Sequence, residues 1–168
     1  MNFNFNIKII LPEDIMCIES KNLSNCGNRC VRTVNNKEFL ADVINRMGEN
    51  SALVQCILIV IVHHQAQSLP QIVTSFQKLK NSSHRLYILS SSVANQVLGI
   101  LKIGEKRLFL HDNQGVCTEL EPLCILDFYI HESVQRMGHG KKLFDHMLEV
   151  RKQFSLAVMK VYPLLRNG

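Results

Sequence analysis

The sequence has no hydrophobic run long enough to cross a membrane, no cysteine framework and no complete nucleotide-binding fingerprint. Its longest apolar stretch, Leu53 to Val62, is about half of the roughly 20 residues a bilayer requires. A membrane span is therefore not expected, and the run should be a buried strand or a helix extension. The cysteines Cys17, Cys26, Cys30, Cys56, Cys117 and Cys124 show no framework spacing, and no signal peptide precedes them, which points to a reducing, cytosolic setting. Cys26-x-x-x-Cys30 offers one pair where a tetrahedral zinc site needs four ligands, so no metal is expected. The formal charge of +5 is spread over several segments, which argues against a nucleic-acid partner and leaves room for an acidic protein surface. Gly138-x-Gly140 lacks the third glycine of a dinucleotide site, and no Gly-Lys-Ser/Thr follows it.

The 168 residues, 46% hydrophobic and 20% charged, suit one globular domain over 1–168 with a substantial core. Phe3, Phe5, Ile7 and Ile9 alternate with polar residues, so a first strand is expected there, ended by Pro12. Ser20 to Asn36 reads as a loop. Asn36 can cap a helix with Phe39, Leu40, Val43, Ile44 and Met47 on one stripe, stopped by Gly48. Ile72, Val73, Phe76 and Leu79 predict a short amphipathic helix, and Arg85 to Leu89 a strand before a turn at Ser90 to Asn95. Val97–Ile103 and Lys106–His111 predict a hairpin around Gly104-Glu105, with Asp112 to Thr118 a loop. Strands that follow one another among helices predict a mixed α/β sheet.

Glu121 to Lys141 is the most informative stretch. Leu123 to Ile130 is apolar at nearly every position, as in a central strand buried on both faces, and runs directly into Gln135-Arg136-x-Gly138-x-Gly140. From Lys141 to Phe154, Leu143, Phe144, Met147, Leu148 and Val150 fall near helical spacing between charged residues. The order is strand, glycine-bearing turn, helix. Such a turn is either a tight connection alone or an anion cradle, because glycines let backbone approach a ligand and first-turn N–H groups are unpaired. The spacing resembles the Q/R-x-x-G-x-G/A pattern of acetyltransferases of the GNAT superfamily, where this turn grips the pyrophosphate arm of coenzyme A.

Glu121 through Gly140 also resembles the α-tubulin N-acetyltransferases nearly letter for letter. So do Met1-Asn2-Phe3-Asn4-Phe5 with Leu11-Pro12-Glu13, Gln65-Ala66-Gln67-Ser68-Leu69, and Gly99 to Phe109. The resemblance covers most of residues 1–15 and 65–158. It implies the GNAT acyl-CoA N-acyltransferase fold and acetyl transfer from acetyl-CoA to a lysine ε-amine of α-tubulin in microtubules, directly in a ternary complex. It further implies a cytoplasmic monomer on microtubules or axonemes, with neither nucleic acid nor membrane as partner. The acetyl-CoA site would comprise Phe128, Tyr129, Ile130, His131, Glu132, Ser133, Val134, Gln135, Arg136, Met137, Gly138, His139, Gly140 and Lys141.

Acetyl transfer needs a neutral amine, and a lysine amine ordinarily holds its proton up to a pKa of about 10.4, so an acceptor must take a proton. Cys124 on the central strand is such a candidate from its chemistry, or else an inert core thiol. The resemblance assigns catalytic roles to Cys124 and Gln67. Asp127, an acid between apolar neighbours, is either a member of a structural network or a site group. Lys102, Lys106 and Arg107 are expected as a basic rim for an acidic substrate, or as solvated hairpin charges.

Two segments depart from the family. Residues 53–64 read as an insertion. After Val158, Met159 stands where the family has its second catalytic side chain, an aspartate, and residues 159–168 diverge from it. The chain is accordingly expected to be an alternatively joined or incompletely translated member, C-terminally incomplete, with a sheet edge left open. Two further functions stay open on this reading: a catalytically impaired microtubule-associated protein, and a coenzyme A-binding module with another acceptor.

Overall fold

A computed structural model describes residues 1–24, 34–63, 71–111 and 115–152. Cys26, Cys30, Gln67 and Met159 lie outside them. The fold is organised on an antiparallel sheet of four strands in the order β1 (Ile15–Glu19), β2 (Arg85–Ser91), β3 (Gln96–Glu105) and β6 (Leu123–Ile130). Leu86 to Ser90 are all buried, because helices cover both sheet faces. Leu86, Ile88 and Ile100 pack with Leu40, Val43, Ile44 and Met47 of α2 (Val34–His63). Tyr87, Leu89, Leu101 and Ile103 pack with Leu143 and Met147 of α4 (His139–Lys152) on the other face. Each such buried aliphatic side chain contributes about 1.5–3 kcal/mol.

The amino terminus is not the expected strand. Only Asn2 bridges to the sheet, at Gln96, and Ile7–Ile9 form a 3-10 turn whose start is capped by the Asn6 side chain on Lys8 N. Phe3, Ile7, Ile10 and Leu11 are the buried residues, whereas Ile9 is exposed. That spacing suits a coiled segment lying on α2, where Phe5 stacks on Phe39 at 4.3 Å. The first strand is β1, paired with β2 from Ile15↔Leu89 to Glu19↔Arg85.

Ser20 opens a short helix, α1 (Ser20–Ser24), where a loop was expected. Gly48 does not end α2. A Cβ there would lie 1.8 Å from the Thr74 carbonyl oxygen, so this glycine admits the neighbouring backbone instead of stopping the helix. The helix continues through residue 63, and the apolar run Leu53 to Val62 is its extension. No helix among the described residues is long and apolar enough to cross a membrane.

Residues 71–75 form no regular secondary structure, and α3 (Phe76–Lys80), capped by Ser75, is shorter than the expected helix from Ile72. The hairpin expected between residues 97–103 and 106–111 does not form. Both edges of β3 are occupied, by β2 and β6. The next segment, β4 (Leu108–His111), therefore pairs with β5 (Cys117–Leu120) in a separate ribbon. The strand β6 is the edge of the sheet among the described residues, not its centre, so Ile125 and Phe128 remain about half exposed.

Candidate active site

The end of β6 is fixed by His131 N donating to Leu98 O at 2.8 Å. A 3-10 turn over Glu132–Val134 follows, with the His131 side chain accepting from Ser133 N. Gln135 Nε2 then reaches back to Ile130 O at 2.8 Å and closes the loop. Arg136 and Gly138 take φ of 64° and 80°, the left-handed region that reverses the chain into α4. The helix's first bond is Lys142 N to Gly138 O, 3.0 Å. The N–H groups of His139, Gly140 and Lys141 precede it and have no intrahelical acceptor, so they present partial positive charge at the turn.

Arg136 and Met137 are exposed on this loop. Lys141 pairs with Asp145 and Lys142 with Asp14, both at the surface and individually weak. Asp145 also raises the Lys141 pKa, through its hydrogen bond and its charge. A Cβ on Gly140 would touch Phe128 Cζ at 3.4 Å and Ile130 Cγ1 at 3.6 Å, so the helix start rests on those two strand residues. Tyr129 points to the opposite face. Its ring is in the α2-side core, its hydroxyl donates to Glu132 Oε1 at 3.0 Å, and burial followed by Glu132 pushes its pKa upward. Of the cofactor candidates, residues 135–141 with Phe128 and Ile130 share one region, to which Tyr129 adds only backbone.

Cys124 is half-buried and opposite Gly104 in the β3–β6 ladder, its thiol donating to Pro122 O at 3.5 Å. A bulge intervenes: Lys102 pairs with Asp127 and Ile103 with Ile125, leaving Leu126 unmatched. The bulge puts Asp127 on the same face as Cys124, two β3 positions away. Between residues 124 and 130 the strand covers about 20 Å, a span that an extended pantetheine arm can bridge.

Asp127 and Lys102 are both buried, at 3% and 2% exposure. Asp127 accepts from Ser51 Oγ at 2.6 Å, Gln55 Nε2 at 3.2 Å and Thr74 Oγ1. Lys102 Nζ donates to Val73 O at 2.9 Å, and burial lowers its pKa against the opposing pull of Asp127. The basic rim therefore loses Lys102. Lys106 and Arg107 stay exposed, Arg107 paired with Glu119 at 3.0 Å. Sequence reading missed Ser51, Gln55, Thr74 and His84 as neighbours of this region. Gly104, the one small residue where β3 continues past Lys102-Ile103, was the available signal of a close approach. Among the described residues no group of three His, Cys, Asp or Glu could hold a metal ion.

The sheet expected to be mixed is antiparallel throughout the described residues, and its edge strand runs through a glycine-bearing turn into a helix start, the arrangement expected of the GNAT acyltransferase fold. The chain belongs to the family described as GNAT acetyltransferase, Mec-17, whose model matches residues 3–159. It is 40% identical to an alpha-tubulin N-acetyltransferase of Schistosoma japonicum over 89% of this chain and 57% of that protein. It is 42% identical to one of Trichoplax adhaerens, over 89% and 63%. With alpha-tubulin N-acetyltransferase 1 of Danio rerio the identity is 37%, over 95% of this chain and 50% of that protein. The chain thus spans between half and two thirds of these relatives' lengths.

Proposed function

We propose that this chain transfers the acetyl group of acetyl-CoA to the ε-amine of a lysine on α-tubulin, in the cytoplasm and on microtubules. The observation that carries the reading is the continuity of one element. The strand β6 holds Cys124 near one end and delivers the chain, at its other end, into a turn of unpaired N–H groups beside Arg136. The relatives' names supply the acceptor. On this reading the diphosphate sits at the N–H groups of residues 139–141 with Arg136, and the pantetheine arm runs along the open edge of β6 past Phe128. The half-exposed Phe128 and Ile125 give that arm an apolar wall.

The reaction joins amine nitrogen to the thioester carbonyl carbon and breaks the carbon–sulfur bond, in one ternary complex. Cys124 borders the reacting end. Gln67, carried over from the resemblance, lies outside the described residues. The chain is proposed to act as a monomer, with axonemes among its microtubule substrates.

The test is labelled acetyl-CoA with assembled microtubules and the purified chain, beside Cys124→Ala and Met159→Asp. Label on α-tubulin that disappears in Cys124→Ala is the expected result. No label from a folded wild-type chain, with Met159→Asp also silent, would refute the activity of this chain.

A further inference from the structure

The imidazole of His84 lies on the sheet where a side chain is missing. A Cβ added to Gly104 would be 2.2 Å from His84 Cδ2 and 2.8 Å from Nε2, so the ring fills the space that residue 104 leaves empty. Gly104 is the register partner of Cys124. Directly opposed residues of an antiparallel pair send their side chains to the same face with Cβ atoms about 4.5–5.5 Å apart. The His84 ring and the Cys124 side chain are therefore neighbours on one face of the sheet. No other residue type at position 104 permits this, because any Cβ collides with the ring.

His84 has a second peculiarity. Its Nδ1 is buried and has no hydrogen-bond partner among the described residues, a costly state for an imidazole that performs only a packing role. The residue also lines an open cavity of 690 Å³, whose wall includes Lys102, Lys78, Glu105 and Leu126. Leu126 is the bulged residue of β6, so the cavity reaches the strand on which Cys124 sits. A lysine side chain entering from an acidic surface would meet a mouth carrying Lys106 and Lys78.

We propose that His84 is the proton acceptor of the acetyl transfer, acting beside Cys124. This rests on the acetyltransferase reading above. The incoming ammonium gives one proton to the neutral imidazole and becomes a free amine. Its nitrogen lone pair then bonds to the thioester carbonyl carbon. The carbon–sulfur bond breaks, the departing thiolate takes the second proton from nitrogen, and the products are the amide and the free thiol. The imidazolium returns its proton to water through the open cavity.

Two environmental effects suit His84 to this work at neutral pH. Burial lowers its pKa below the usual histidine value, and the Lys102 charge lowers it further. The ring is thus unprotonated where the reaction must run. The charged groups facing it are Lys102, Glu105 and Lys106 along and after β3, and Lys78 from α3. Asp127 offsets part of the Lys102 charge.

The experiment has two readouts on the full chain. Acetylation of microtubules is followed against pH for wild type, His84→Gln and His84→Ala, the last with and without added imidazole. In parallel, alkylation of Cys124 by iodoacetamide is followed against pH by the mass of its peptide. The expected result is a kcat about 100-fold lower in His84→Gln, with the KM for acetyl-CoA unchanged. The acid limb of the wild-type profile should vanish, and imidazole should restore turnover to His84→Ala. Cys124 alkylation should show an inflection below pH 6.5 that His84→Gln abolishes. Retention of the acid limb and of wild-type kcat in His84→Gln would overturn the proposal. A wild-type chain that never labels tubulin yet shows the His84-dependent inflection would refute the tubulin reading and leave the pairing standing. Absence of both signals would overturn both.

Discussion

Lys102 and Asp127 face each other across β3 and β6, and each reaches to the same short segment: Lys102 Nζ to Val73 O, Asp127 to Thr74 Oγ1. Two buried groups of opposite charge thereby hold the consecutive residues Val73 and Thr74, just before α3. Ser51 and Gln55 add the helix α2 to the same carboxylate. The result is a polar clamp that joins sheet, helix and connecting segment beside the cavity at His84. Buried charges are stable only when hydrogen-bonded, and here each has protein partners.

Asp127→Ala removes the acceptor of three donors and leaves Lys102 without its opposing charge. A loss of about 3–5 kcal/mol is expected, read by urea unfolding. Asp127→Asn, which keeps acceptor oxygen and volume, should lose less. Equal stability of the alanine variant and wild type would show that the clamp contributes nothing.

Gly48→Ala ought to stabilise a helix interior by up to about 1 kcal/mol on propensity. The opposite is expected here, a net loss of about 1–3 kcal/mol, because the new methyl would meet the Thr74 carbonyl at 1.8 Å. Thermal denaturation of the variant decides the sign.

Glu19 is bonded by Lys21 and Arg85, both at 2.7 Å. The Lys21 hydrogen bond leads in holding its pKa below the usual carboxylate value, burial opposes, and the Arg85 charge adds to the lowering. The unfolded chain then binds the proton more readily, so the pair's stabilisation is complete above the unfolded pKa and lost as pH falls through the folded one. Wild type should lose stability faster than Glu19→Gln on acidification below about pH 4.5. Parallel curves of unfolding free energy against pH would contradict this.

Arg136→Ala and Gly138→Ala test the turn. The first removes the exposed guanidinium, and acetyl-CoA affinity should fall by roughly tenfold, more at low salt than at high. The second forces a Cβ onto a φ of 80°, costing about 1 kcal/mol, and should weaken binding by distorting the turn. Calorimetric titration with acetyl-CoA measures both, and unaltered affinity in both would move the diphosphate elsewhere.

Much of the site was legible because it is local. Strand, turn and helix from Leu123 to Lys152 follow from contiguous periodicity and two glycines, and the family followed from the same letters. The amino terminus was misleading for a physical reason: Phe3, Phe5, Ile7 and Ile9 alternate, but packing selects Phe3, Ile7, Ile10 and Leu11. Gly48 carried a stop signal in the sequence, and only the approach of Thr74 gives it another meaning. Lys106–His111 looked like the partner of β3 because a turn adjoins it, yet the edge it needed belongs to β6.

By itself the sequence determined the elements whose information lies within a few residues: the β6 strand, the glycine-bearing turn around Gly138 and Gly140, the amphipathic α4, and membership of the acetyltransferase family. Tertiary structure alone decided which distant groups share a space. Nothing in local spacing says that Ser51, Thr74, Lys102 and Asp127 converge, or that the ring of His84 occupies the place of a side chain at Gly104 beside Cys124. Those relations depend on strand register and on a bulge at Leu126, where one residue of offset decides which side chains share a face.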